Sequence, residues 1–264
     1  MSSHVGGSTG SGVPHSTHSR KKTGPSNETL GYASIFALLG YLGLLIFVRA
    51  NPRSRGDTAA TLRLQRNNHP ALARLMGWTS WFGFRPQSLW LPFVLVALAW
   101  IKGRRLGSVF LVFAWASSLL SFFTKLVIKR PRPDDPLIRV VDADIRDTSF
   151  PSGHTLHYVT FWGFVAYLAA TNLRDRTVRR VVTVVIGAVI GLIGPSRVYL
   201  GHHWLTDVLA SYLLGFAYFA GLVWAYRWLR SMLDGDPEPQ YYQPEAPKLP
   251  VVDKRSVAAE LPAP

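Results

Sequence analysis

The chain contains no cysteine, which excludes disulfide bridges and thiolate metal sites while leaving its compartment open. It is also poor in acidic residues: 15 Asp and Glu stand against 29 Lys and Arg, for a formal charge of +14. On a polar surface that excess would suit nucleic acid. Here the cations sit mostly in loops beside apolar runs, where anionic headgroups account for them better, so no nucleic-acid partner is expected. The apolar runs themselves lack charge. Leu30–Val48, Leu106–Thr124 and Val208–Tyr226 each hold 19 residues without a charged side chain, close to the roughly 20 that span a bilayer. Tyr158–Leu173 and Val181–Ser196 hold 16 each, and Gln87–Ile101 holds 15 with an internal Pro92. Six such runs in 264 residues leave too little polar sequence to cover a soluble core. They predict an all-α integral membrane protein with six transmembrane helices.

Residues 1–27, rich in Ser, Gly, Thr, His and Pro, and residues 234–264, rich in Pro and acidic residues, read as disordered tails flanking a 28–233 membrane domain. Leu30–Val48 is too long for a signal-peptide core, and Arg49-Ala50-Asn51-Pro52 is not a small-x-small cleavage site, so it is expected to remain as the first span. Lys102, Arg104 and Arg105 join spans two and three, and Arg174, Arg176, Arg179 and Arg180 join spans four and five. The positive-inside tendency makes both loops cytoplasmic, with both termini inside. Residues 52–86 argue against that orientation, because they fall outside yet are rich in arginine. Leu62, Leu64, Leu72, Leu75, Met76, Trp78 and Trp81 lie among those cations, as in amphipathic helices resting in the headgroup layer.

Three segments carry chemistry, and the topology puts all of them on the external face. Lys125-x6-Arg132-Pro133 follows the third span, where Arg supplies a planar two-pronged donor to phosphate oxygens and Lys a compact charge. Pro151-Ser152-Gly153-His154 precedes the fourth. Ser152 suits a helix N-cap, Gly153 allows close backbone approach to an anion, and His154 is placed to protonate a leaving oxygen. Ser196-Arg197-x5-His203-x3-Asp207 joins spans five and six. A spacing of four puts His203 and Asp207 on one helix face, where Asp207 fixes the ring tautomer and leaves the other nitrogen free to attack phosphorus. His202, next to it, would point elsewhere, and His157 is expected to be structural. Asp134, Asp135, Asp142, Asp144 and Asp147 lack metal-ligand spacing and are expected to form a solvated loop that balances its six cations; no metal or other cofactor is expected.

KxxxxxxRP, PSGH and SRxxxxxHxxxD together match the signature of the type 2 phosphatidic acid phosphatase superfamily, and the chain resembles that family from about Asn67 to Leu229. The resemblance implies a six-helix core with the active site between helices three to six near one membrane face. It implies metal-independent hydrolysis in which His203 becomes phosphorylated, Asp207 orients it, and His154 protonates the departing oxygen and then activates water. Lys125, Arg132, Ser152, Gly153 and Arg197 would hold the phosphate. The expected substrate is a lipid phosphate or diphosphate, with polyprenyl diphosphate ahead of phosphatidic acid and phosphatidylglycerol phosphate, in a bacterial plasma membrane. Spans one and two and the Arg-rich loop would frame lipid access. A lipid phosphotransferase using the same histidine and a non-catalytic phospholipid-binding protein are the alternatives.

Overall fold

Ser26 accepts a hydrogen bond from the Thr29 amide at 3.1 Å and starts α1 (Asn27–Ala50). The computed structural model describes residues 25–141 and 147–234. The two tails lie almost wholly outside these residues, and so do Asp142 and Asp144. The Arg-rich segment forms α2 (Arg55–Gln65), capped by Ser54, and α3 (Pro70–Trp81), whose Pro70 occupies the first turn where a missing N–H does no harm. After α4 (Gln87–Ile101) the third apolar run forms α5 (Arg105–Ala116) and α6 (Ser118–Ile128), which part only at Ser117. Lys129, in the left-handed conformation at φ 47°, ends α6.

Ser152 then caps α7 (Gly153–His157). A π turn at Tyr158–Trp162 and α8 (Gly163–Asn172) continue it without a gap. The π turn is pinned to the α5–α6 junction by a 2.6 Å hydrogen bond between the Ser117 and Thr160 hydroxyls. Asp175, accepting from the Val178 amide at 2.8 Å, caps α9 (Arg176–Tyr199), and α10 (Leu205–Asp234) closes the described chain.

Among the described residues the structure is all-helical, with no strand. Asn27–Ala50, Arg105–Ile128, Arg176–Tyr199 and Leu205–Leu233 are long and apolar enough to cross a membrane, while Gln87–Ile101 is a shorter apolar helix. Their outward faces carry large exposed side chains such as Phe36, Ile46, Phe93, Phe123 and Val184. A water-soluble chain does not tolerate that much contiguous apolar surface, whereas lipid does. Helix α10 is the hub: it packs against α1, α5, α7 and α9. Phe110, Ala114, Phe161, Phe164 and Val223 fill the space between α10, α5 and the π turn. The Arg-rich helices do more than rest on a surface, since α2 packs on α9 and α10, and α3 on α9. Trp78 and Trp81 on α3 stay exposed.

Candidate active site

The C-terminal ends of α6 and α9 and the N-terminal end of α7 meet at one end of the bundle, beside the loop that leads into α10. They surround a cavity of about 830 Å³ lined by Lys125, Arg132, Gly153, His154, Arg197 and His203. Six of the eight expected site residues therefore share one wall. The other two sit behind it. Ser152 spends its hydroxyl on the α7 cap, accepting from the Thr155 amide at 3.5 Å and the Thr155 hydroxyl at 3.0 Å. Asp207 is fully buried behind His203.

His203 is not on a helix, as its spacing to Asp207 suggested; α10 begins two residues later. The pair still meets, at 3.5 Å between Nδ1 and Oδ2, because Asp207 reaches back over the helix start and accepts from the Trp204 amide at 3.0 Å. That 3.5 Å approach is longer than a good hydrogen bond and leaves Nδ1 without a hydrogen-bond partner among the described residues. Nε2 faces the other way, 3.4 Å from Arg132. Burial, followed by the Arg132, Arg197 and Lys125 charges, holds the His203 imidazole well below its usual pKa, so it is neutral at pH 7. His202 differs: its Nε2–H donates to the Val141 carbonyl at 2.6 Å, and burial and Arg197 push it down to about 4. His157, expected to be structural, stacks on Phe161 but also lines the cavity, with both ring nitrogens unpartnered.

Arg197 is almost completely buried. Its Nη1 donates to the Ser80 hydroxyl at 3.2 Å and its guanidinium lies 5.2 Å from the Phe84 ring centre, yet Nε has no partner. No carboxylate among the described residues pairs with it. A buried, uncompensated cation facing a cavity is costly unless an anion fills that cavity. Lys125 and Arg132 already hold one. Lys125 Nζ lies 2.5 Å from Asp147 Oδ2, and Arg132 grips the same carboxylate and also donates to the Asp147 carbonyl at 2.9 Å. Burial alone would raise the Asp147 pKa, but its contacts with Lys125 and then Arg132 outweigh burial and keep it low, hence ionised. Asp147, expected in a solvated loop that balances its cations, is more than half exposed and holds its carboxylate against Lys125 and Arg132. Asp134 pairs with Arg53 instead, and no cluster of three metal-binding side chains occurs among the described residues.

Several supporting residues were missed. Arg130, two residues before Arg132 in the first segment, is buried between Asp207 at 2.5 Å and Asp57 at 2.7 Å. Ser149 donates to the other oxygen of Asp207. Asp57 also accepts from the Thr206 amide at 2.9 Å, tying α2 to the start of α10. Asp57 is the single acidic residue between Arg49 and Arg85, a signal that was available in the sequence. Gly83 was missed too. A Cβ there would come within 2.2 Å of His154, so only glycine lets the α3–α4 turn close on that ring, while Phe84 meets it edge-on. The cavity continues between Leu89 on α4 and Val112, Leu119 and Phe122 on α5 and α6, an apolar path leading away from the cations. Of the segments expected to frame lipid access, span two (α4) and the end of the Arg-rich segment line this cavity, whereas no residue of α1 does.

Comparison with known proteins agrees with this architecture. Residues 105–231, which contain all three segments, match the family model of the PAP2 superfamily. The chain is 28% identical over 193 residues to phosphatidylglycerophosphatase B of Bacillus subtilis, covering 71% of this chain and 92% of that protein. It is also 28% identical over 183 residues to an undecaprenyl-diphosphatase of Sulfolobus acidocaldarius, covering 67% and 84%. Among solved structures it resembles the transmembrane PAP2-type phosphatidylglycerolphosphate phosphatase of Bacillus subtilis, with a TM-score of 0.62 at 24% identity over 73% of this chain and 94% of the other. Aquifex aeolicus LpxE is a more distant match, with a TM-score of 0.51 at 20% identity over 66% and 96%. The two solved structures show a common fold. The motif-bearing region 105–231 is what the chain shares with the PAP2 superfamily.

Proposed function

We propose that the protein is an integral-membrane lipid phosphatase that removes the terminal phosphate of a lipid phosphate or diphosphate through a phosphohistidine on His203. The observation that carries this reading is the buried Arg197, left without a carboxylate and facing a cavity shared with His154 and His203. An ester phosphate entering there displaces Asp147 from Lys125 and Arg132 and becomes the anion the site lacks. Its lipid tail follows the apolar path between α4 and α5–α6.

His203 Nε2, neutral in the free site, attacks phosphorus as the P–O bond to the lipid breaks. His154 gives its proton to the departing oxygen, then takes one from the water that cleaves the N–P bond and releases inorganic phosphate. Lys125, Arg132, Arg197 and the Gly153 amide hold the equatorial oxygens, where fixed donors contribute most to phosphoryl transfer. Asp207, held by Arg130 with Asp57 on the other side of that guanidinium, lies buried behind the ring. Phosphorylation makes the imidazole cationic, and Asp207 beside Nδ1 is placed to accept from it.

The remaining features fit a six-span topology in which Gln87–Ile101 and the continuous 153–172 run join the four longer spans. The arginine-rich turns between α4 and α5 and between α8 and α9 would then face the cytoplasm, with the active site external and α2 and α3 at the interface beside it. Polyprenyl diphosphate and phosphatidylglycerol phosphate are the leading substrates, since relatives of equal identity are named for each chemistry. The test is phosphate release by purified protein in detergent with excess EDTA, across those two lipids and phosphatidic acid. Release that survives EDTA and falls by several orders of magnitude in His203→Ala is the expected result. Phosphate transferred to a second lipid would establish a phosphotransferase, and no turnover by folded protein would overturn the reading.

A further inference from the structure

A second cavity, of about 570 Å³, lies at the other end of the bundle. It is bounded by the C-terminal ends of α4, α8 and α10 and the N-terminal end of α5, each the end opposite to the one nearest the catalytic cavity. Its rim is the tight turn joining α4 to α5. Gly103, at φ 74°, bends that turn, and the Lys102, Gly103 and Arg104 amides donate back into α4 at 2.9 to 3.1 Å. The turn is thus an ordered platform that presents Lys102, Arg104 and Arg105 together at the cavity mouth. Arg105 also lies 5.8 Å from the Trp100 ring centre. Among the described residues no Asp or Glu lines the cavity, Arg230 of α10 adds a further cation to its wall, and neither Lys102, Arg104 nor Arg105 pairs with a carboxylate. Behind the rim the walls are apolar: Leu98, Leu111 and Leu168.

Charge of one sign at the mouth and hydrocarbon inside matches an amphiphile with an anionic head. Basic pockets between transmembrane helices hold phospholipid headgroups by this combination, and the volume lies in the usual range of ligand cavities. We propose that this cavity binds one anionic phospholipid of the leaflet opposite to the active site. Its phosphate would sit on Lys102, Arg104 and Arg105, with an acyl chain against Leu98, Leu111 and Leu168. The inference rests on the helical membrane architecture and not on the catalytic reading. It differs from a simple orientation signal, because exposed loop cations attract headgroups without needing a cavity.

The experiment is native mass spectrometry of the full chain released from detergent in the presence of phosphatidylglycerol or phosphatidylcholine. One retained phosphatidylglycerol is expected, with little phosphatidylcholine. Lys102→Gln/Arg104→Gln/Arg105→Gln should weaken retention about a hundredfold, from about fivefold per cation. Arg104→Lys/Arg105→Lys should keep it. Filling the cavity by Leu168→Trp, or independently by Ala169→Phe, should also abolish it with the rim charges intact. Arg132→Gln/Arg197→Gln, which disables headgroup binding in the catalytic cavity, should leave it unchanged. Circular dichroism and gel filtration certify each variant as folded. Equal retention of both lipids, retention in the rim variant, loss in the catalytic-cavity variant, or retention in both filled variants would each overturn the proposal.

Discussion

Two sets of Arg–Asp contacts lie within the same site and behave as opposites. Arg130 with Asp57 and Asp207 is sealed, with side-chain exposures of 0% and 1% at one pair and 0% and 0% at the other. Lys125 and Arg132 with Asp147 is open, and the Asp147 side chain is 55% exposed. A sealed pair cannot be exchanged: its charges have lost their water and depend wholly on each other. An open pair is screened and exchangeable, so a phosphate can replace its carboxylate. The sealed set is fixed behind His203, and the open set is the one that an incoming anion can exchange. His203 stands between them, with Nδ1 toward Asp207 and Nε2 toward Arg132.

The largest effect should come from breaking the sealed set. Arg130→Ala leaves two buried carboxylates uncompensated and should destabilise the protein by about 3–5 kcal/mol, read as a large fall in the thermal unfolding midpoint in detergent. An equal change in Tm for Asp147→Ala would erase the distinction. Gly83→Ala is next. It presses a methyl group into the His154 ring, and should lower kcat about 10²- to 10⁴-fold, the usual contribution of a general acid, with little change in Tm.

The pH profile sharpens the contrast from the His203 side. Because burial and three cations depress its pKa, the imidazole stays neutral as pH falls through 6.5, and kcat/KM should drop only once pH passes through the lower value. Arg132→Gln removes one of those cations and should move that acid limb upward, toward 6.5. The smallest effect belongs to the open set. Asp147→Asn frees Lys125 and Arg132, so KM and the inhibition constant for inorganic phosphate should fall a few-fold, with a stability change within about 1 kcal/mol for so exposed a pair. A rise in KM would show that Asp147 helps to bind substrate instead of competing with it.

The contrast also explains what the sequence disclosed. The three segments were legible because each lies at the end of an apolar run, and run ends are readable from hydropathy alone. The partnership of His203 and Asp207 was legible from spacing, although the geometry behind it was not: Asp207 folds back over the start of α10, where a shared helix face had been expected. Arg130 was illegible for a different reason. Its partners lie 73 and 77 residues away, and only the docking of α2 against α9 and α10 turns a juxtamembrane arginine into a buried one. Gly83 carries no local signal, since its need arises from a histidine that reaches it through tertiary packing. The apolar extension of the cavity between α4 and α5–α6 was not legible, because hydropathy gives the spans without saying which of them part to leave a groove.

The measurement that tests the central claim most directly is rapid-quench trapping with a lipid substrate labelled in its terminal phosphate, stopped in base within a single turnover and followed by mapping of the labelled peptide. The account predicts transient phosphate on His203, formed and lost at rates compatible with kcat. It also predicts no label in His203→Asn, whose fold is checked by its unfolding midpoint. Label on His202, or phosphate released through complete turnovers with none ever bound to His203, would contradict it.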